Sequence, residues 1–255
     1  MANIYFMAEL DFLQYPMVYK SVYMILAANS RIHFLFARFA YQEAGLIASG
    51  ISYKAPTEDT PQIFNSLRCV NILQFMWSSN PRDAISFWNM RTQEWLKYYV
   101  MLRFTNRSLP RGQLQPWALA GTFAVSAAFH GYYHGYYSFF FALCVIDVAW
   151  KIGDSTAFVG KLRAIFPAWL ITLISIALAQ LELRYLTVPF FILTWKGNLV
   201  YYQAFYFLGH IIPLACIVIG LLMPKQKKQS TSKTQGESEC PAEKEICQDK
   251  DDSTD

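Results

Sequence analysis

Apolar positions along this chain recur at threes and fours or run on without a break, and both patterns predict helices. Leu162–Leu181 is an apolar run of about the twenty residues that a helix needs to cross a bilayer. Leu199–Met223 predicts a second spanning helix, despite His210 and Pro213. Between them, Tyr185–Trp195 is shorter and contains Pro189, which predicts half of a kinked helix or a re-entrant segment. Trp117–Phe129 and Tyr136–Trp150 are apolar apart from Asp147. They meet at His130-Gly131 and His134-Gly135, as one helix interrupted in its middle or as two short pieces joined at a glycine-rich break.

The first hundred residues are more mixed. Residues 1–20 alternate aromatic and acidic positions and predict an interfacial helix or an external turn. Tyr23–Gly50 has helical periodicity but carries Arg31, His33, Arg38 and Glu43. Two readings stay open: a spanning helix whose polar groups face protein or water, or an amphipathic helix of the soluble type. Residues 51–65 read as a loop punctuated by Pro56 and Pro61, and Ser78-Ser79-Asn80-Pro81 is a second break. Asp83–Arg103 has helical spacing at Phe87, Met90, Trp95, Tyr98, Tyr99 and Leu102, but is too polar to face lipid. Thr105–Pro116 is a basic loop, and Lys151–Lys161 a polar one.

Composition agrees with a membrane protein. Of 255 residues, 54% are hydrophobic and 16% charged, against about 25% charged in average soluble domains. The net charge of +4 hides an asymmetry: residues 229–255 hold three lysines and eight acids, so that stretch is −5 and the remainder +9. The chain therefore divides into a membrane region, 1–228, and a disordered tail, 229–255. Lys225, Lys227 and Lys228 place the tail on the cytosolic side by the positive-inside rule. The basic residues are scattered among apolar segments, which argues against nucleic acid. Five cysteines at irregular spacing predict neither a disulfide framework nor a metal site. The start lacks the basic flank of a cleavable signal peptide. Phosphate-binding loops, dinucleotide fingerprints and hydrolase elbows are not found.

Candidate chemistry concentrates between Ile85 and Tyr137. An ionisable residue at a glycine-rich break in an apolar region is a functional candidate, and His130 is one. A neutral imidazole suits a general base. Asn89 can both donate and accept, and so orient an imidazole or stabilise an oxyanion. The structural alternative is that Asn89 and His130 simply hydrogen-bond between helices. His134, amid four tyrosines, is either an interfacial residue or a second titratable group coupled to His130.

Trp88–Leu96, W-N-M-R-T-Q-E-W-L, and Ser126–Tyr137, S-A-A-F-H-G-Y-Y-H-G-Y-Y, lie about forty residues apart. The pair resembles the two signature blocks of the membrane-bound O-acyltransferase family, in its lysophospholipid acyltransferase branch. The resemblance covers Asp11 to about Lys228 and implies a correspondence to the C-terminal half of the family only. It implies an all-α, polytopic membrane protein, a partial helical bundle of that family's type. It also implies transfer of a fatty acyl chain from acyl-CoA to a lysophospholipid hydroxyl, with acyl-CoA as co-substrate and no permanently bound cofactor or metal. By resemblance His130 and Asn89 are the catalytic pair. Trp88, Gln93 and Trp95 match the first block, and Ser126, Gly131, Gly135 and Tyr136 the second. Arg91, Lys97, Arg103, Arg107 and Arg111 are candidates for CoA phosphates or lipid headgroups. The implied partners are lysophospholipid, acyl-CoA and bilayer, the implied location is the endoplasmic reticulum, and the oligomeric state is open. Phe129 and His134 depart from the family pattern, which has tryptophan and proline there. Family members are also longer, so the chain is expected to be a fragment or truncated product, weakly active or inactive alone. Two alternatives stand beside this: a family member acting on a sterol, diacylglycerol or protein, and a truncated membrane protein without catalysis.

Overall fold

The computed structural model describes residues 3–56, 64, 66–106, 108 and 115–224, and every regular element among them is helical. The chain opens with two 3-10 turns, Ile4–Ala8 and Leu10–Gln14. They bury Ile4, Met7 and Phe12 completely. This corrects the expectation of an interfacial helix or external turn: the aromatic residues are spaced so that Phe6, Phe12 and Tyr23 pack edge to face, which pulls the segment into the core.

Helix α1, Met17–Ala48, is 32 residues long. Its buried stripe, Lys20, Met24, Ala27, Ala28, Ile32 and Phe36, recurs at helical spacing. Glu43 turns back to the chain: its carboxylate accepts the backbone N–H of Cys69, at 2.5 Å, and of Val70. Helices α2 (Ile72–Trp77) and α3 (Pro81–Ser86) are each started by an asparagine, Asn71 and Asn80, whose side chain accepts from the third residue on. Helix α4 (Met90–Leu96), a π-turn (Lys97–Met101) and α5 (Leu102–Phe104) follow. The predicted continuous helix Asp83–Arg103 is thus broken at residues 87–89. Tertiary hydrogen bonds cause the break: Asn71 N–H donates to the Phe87 carbonyl and Met90 N–H to that of Cys69.

Helices α6 (Pro116–His130) and α7 (His134–Asp154) are separated at Gly131–Tyr133, so the two-piece reading of the glycine-rich break is the one adopted. Helix α8, Ala157–Ile165, is capped by Thr156. Helix α9, Ala168–Ile192, starts after Pro167. The predicted span Leu162–Leu181 therefore straddles the end of one helix and the start of the next, because Pro167 cannot continue α8. Tyr185–Ile192 belongs to α9. Pro189 lacks the N–H that the Tyr185 carbonyl would otherwise receive, and the buried Tyr201 hydroxyl donates to that carbonyl instead, at 2.9 Å.

Tyr201 lies on α10 (Trp195–Ala204), which is followed by α11 (Leu208–Leu222). The predicted continuous span Leu199–Met223 is bent by 72° between them. Tyr206 and Phe207 adopt positive φ at the bend. The packing of Tyr185, Tyr201, Tyr202 and Phe205 rings holds this unfavourable backbone in place.

Among the described residues α7 and α9 are long and apolar enough to cross a membrane, and α10 with α11 would count as a third crossing if the bent pair is one span. The architecture is an all-α, membrane-embedded bundle in which α7 packs on α6, α9 and α11, and α1 lies along α9. A polar belt crosses the α1–α9 seam. The buried Arg184 guanidinium donates to Asn29 Oδ1 at 3.0 Å and to the Gln180 side chain and carbonyl, while Gln180 donates to the Phe75 carbonyl at 2.8 Å. These bonds satisfy polar groups that would be costly at membrane depth.

Candidate active site

Asn89 sits at the break between α3 and α4 with φ 47° and ψ 52°, in the left-handed region. Asparagine is one of the few side-chain-bearing residues that enters this region readily. Trp88 fixes the turn, because its ring packs against Phe36, Phe39 and Phe75. The Asn89 carboxamide oxygen accepts from the Thr92 hydroxyl at 2.9 Å, and its carbonyl accepts the Gln93 N–H.

His130 is the last residue of α6. Gly131 ends that helix at φ 118°, a conformation that strains any other residue. The imidazole is exposed on its open side and flanked by the rings of Tyr136, Phe140 and Phe190, with centroids 5.0–5.5 Å away. Among the described residues no side chain hydrogen-bonds it. The rings displace water, so His130, on a helix of 15 residues that is too short to span, is held below the ordinary histidine range.

Gly135 brings the first turn of α7 against the last turn of α9. Its N–H donates to the Leu193 carbonyl at 2.9 Å, and a Cβ would collide with the Pro189 carbonyl oxygen and the Leu193 Cα. This contact positions Phe190 and Tyr136 around His130.

Asn89 and His130 open into one cavity of about 750 Å³. Trp88, Gln93, Ser126, Arg91 and Lys97 also line it. The remaining candidates have other places. Trp95 stacks on Tyr99 and meets Phe129 edge to face at 5.2 Å, so the two blocks touch through these rings. Arg103 is exposed and donates to the Tyr99 carbonyl, while Arg107 and Arg111 lie outside the described residues, as do Cys240, Cys247 and the tail. His134 does not share the cavity. It borders a separate one of about 380 Å³, stands edge-on to Trp195 at 4.3 Å, and contacts the Ser138 hydroxyl. The two histidines therefore do not form a coupled pair in one chamber.

Sequence reasoning missed one feature of the wall. Arg82 on α3 makes a two-pronged pair with Asp147 on α7, Nε to Oδ1 at 2.7 Å and Nη2 to Oδ2 at 2.5 Å, and both residues line the cavity. The bond to Asp147 raises the arginine above its ordinary range. The legible signal was an aspartate alone in an otherwise apolar run. Among the described residues no group of three His, Cys, Asp or Glu could hold a metal ion.

A model of the MBOAT, membrane-bound O-acyltransferase family matches residues 2–149, more than half of the chain. The chain belongs to the membrane-bound O-acyltransferase family. The expected correspondence to the C-terminal half only is corrected by this match, which begins at residue 2 and covers the N-terminal part of the chain. Both blocks, with Asn89 and His130, fall within residues 2–149. The chain is 30% identical over 225 residues to Lysophospholipid acyltransferase 6 of Drosophila melanogaster, covering 84% of this chain and 28% of that protein. It is 28% identical over 193 residues to Lysophospholipid acyltransferase 2 of Arabidopsis thaliana, covering 73% and 40%. It is 26% identical over 258 residues to Membrane-bound acylglycerophosphatidylinositol O-acyltransferase mboat7 of Danio rerio, covering 90% and 51%. The chain thus spans about a quarter to a half of the length of these relatives.

Proposed function

We propose that this chain carries the reaction centre of an acyl-CoA-dependent O-acyltransferase whose acceptor is a lysophospholipid. The observation that supports it is the opening of Asn89 and His130 into one largely apolar cavity. Neutral His130 accepts the proton of the lysophospholipid hydroxyl as its oxygen attacks the thioester carbonyl of acyl-CoA. The tetrahedral oxyanion accepts a hydrogen bond from the Asn89 amide, whose oxygen is occupied by Thr92. Collapse of that intermediate breaks the carbon–sulfur bond. CoA leaves as thiolate and takes up a proton, the imidazolium returns to neutral, and the ester remains on the lipid. Trp88, Ser126 and Gln93 shape the wall, and Arg91 and Lys97 contribute positive charge for CoA phosphates. Residues 1–228 form the membrane region, 229–255 a cytosolic tail, and the location is the endoplasmic reticulum. The names of the relatives favour a lysophospholipid over a sterol, diacylglycerol or protein acceptor.

The test expresses the chain in membranes without endogenous activity. Labelled acyl-CoA is supplied with a panel of lysophospholipids, a sterol and diacylglycerol. Transfer to lysophospholipid that His130→Ala and Asn89→Ala both abolish supports the proposal. Transfer confined to sterol or diacylglycerol overturns the acceptor. Transfer that survives His130→Ala overturns the catalytic role.

A further inference from the structure

The cavity wall carries an arginine that the proposed acyl-transfer chemistry leaves without a task. Arg82 is half-exposed while its partner Asp147 is buried, with side-chain accessibilities of 50% and 5%. Asp147 engages Nε and Nη2. The Nη1 protons and one Nη2 proton remain for a further acceptor. The buried carboxylate thus holds the guanidinium plane in one orientation. The Nε of Arg91, also on the cavity wall, is buried with no hydrogen-bond partner among the described residues. Among the described residues the lining as a whole carries three basic residues, Arg82, Arg91 and Lys97, against two acids, Glu94 and Asp147, with Arg91 paired to Glu94 at 2.8 Å, an excess of one positive charge that suits a monoanion.

Its position relative to the imidazole is set by α7. Phe140, Leu143 and Asp147 line the cavity together, and Phe140 is the residue that stacks on His130. Seven residues at 1.5 Å each put Asp147 roughly 10 Å beyond Phe140 along the helix. The imidazole and the guanidinium thus contact α7 two turns apart on the same cavity wall, a scale that a glycerophosphate with a hydrogen bond at each end can bridge. The pantetheine arm between the thioester and the pyrophosphate of acyl-CoA is much longer than this.

We propose that Arg82, oriented by Asp147, binds a substrate phosphate in the cavity, and that the phosphate is the phosphodiester of the acyl acceptor. The inference rests on the acceptor being a lysophospholipid. Arg82 is a binding and specificity residue, and Asp147 its positioning residue.

The test measures equilibrium binding to the purified 255-residue chain in nanodiscs, with three probes: lysophosphatidylcholine, the monoacylglycerol of the same acyl chain, and CoA. Arg82→Gln is expected to weaken lysophosphatidylcholine binding roughly 10- to 100-fold, the loss of one charged hydrogen-bonding partner, and to leave monoacylglycerol and CoA unchanged. Asp147→Asn is expected to give the same selectivity at smaller amplitude, and Arg82→Lys to recover part of the affinity. Arg163→Gln, which removes the surface partner of Asp154, is the charge control and changes none of the three. A loss confined to CoA would assign the site to the CoA phosphates and overturn the acceptor assignment. An equal loss for all three probes, or none for any, would overturn the phosphate site itself. Binding is read without turnover, so failure of acyl transfer with phosphate-selective binding intact would sink the catalytic reading and leave this one standing.

Discussion

Gly135 offers a sharp test of how the motif glycines build the site. In Gly135→Ala the new methyl meets backbone on both sides: it lies 2.7 Å from the Leu193 Cα and closer still to the Pro189 carbonyl oxygen. Carbon atoms pack best at about 3.5–4.0 Å, so the overlap is roughly 1 Å. Backbone cannot rotate away as a side chain could. Relief requires α7 to withdraw from α9, which also stretches the Gly135 N–H bond to the Leu193 carbonyl, now 2.9 Å. Overpacking costs about 1–3 kcal/mol, and the weakened bond about 1 kcal/mol more. The total, roughly 2–4 kcal/mol, corresponds to a fall in melting temperature of roughly 4–16 °C for a chain of this size. Gly153→Ala on the same helix is the control, because nothing lies within 4 Å of its added carbon. It is expected to be neutral or to gain about 0.5–1 kcal/mol from helix propensity. The assay follows loss of the monodisperse detergent-solubilised peak on heating, at one fixed heating rate for both variants. Equal melting of Gly135→Ala and Gly153→Ala would refute the claim that close backbone approach is what position 135 requires.

Other expectations follow from the same geometry. Tyr201→Phe removes the hydroxyl that satisfies the Tyr185 carbonyl below Pro189; the expected cost is about 1–3 kcal/mol, read as a lower melting temperature, and Pro189→Ala in the Tyr201→Phe background should recover part of it. Asn89→Gly keeps the left-handed turn and loses the amide, so it should abolish acyl transfer while melting within about 0.5 kcal/mol of the parent; Asn89→Ala should cost about 1–2 kcal/mol more because of its backbone conformation. The proposed base works in its neutral form, and His130 is held below its ordinary range by its surrounding rings. The rate limb governed by His130 should therefore fall as pH drops through a midpoint below about 6.5; a midpoint above that value would contradict the assigned environment.

Fold class and site were unequally legible. Long apolar runs declare helices and membrane because lipid leaves backbone few alternatives, and a histidine at a glycine-rich break in an apolar region marks itself by the cost of placing it there; Asn89, in a polar segment, was marked by its motif block. The two motif blocks stand within the segment that the family model matches. Where one helix ends and another begins was less visible. Pro167 divided the run Leu162–Leu181, and ring packing around Tyr185 bent the run Leu199–Met223, although hydropathy is continuous across both. Likewise, periodicity from Asp83 to Arg103 carries no sign that Asn89 turns left-handed, because hydrogen bonds from Asn71 and to Cys69 impose it from outside the segment.

The residue types alone determined that this chain is helical and membrane-embedded, and marked His130 as a candidate; pairing it with Asn89 for acyl transfer rests on the resemblance of the two blocks. Tertiary structure decided which groups meet. It brought Asn89 and His130 to one cavity, sent His134 to another, and drew Arg82 from α3 onto Asp147 of α7. Pairing across 65 residues leaves no local period in the sequence. It depends on helix crossings set by close contacts such as Gly135 against Pro189, and those distances exist only once the helices have packed.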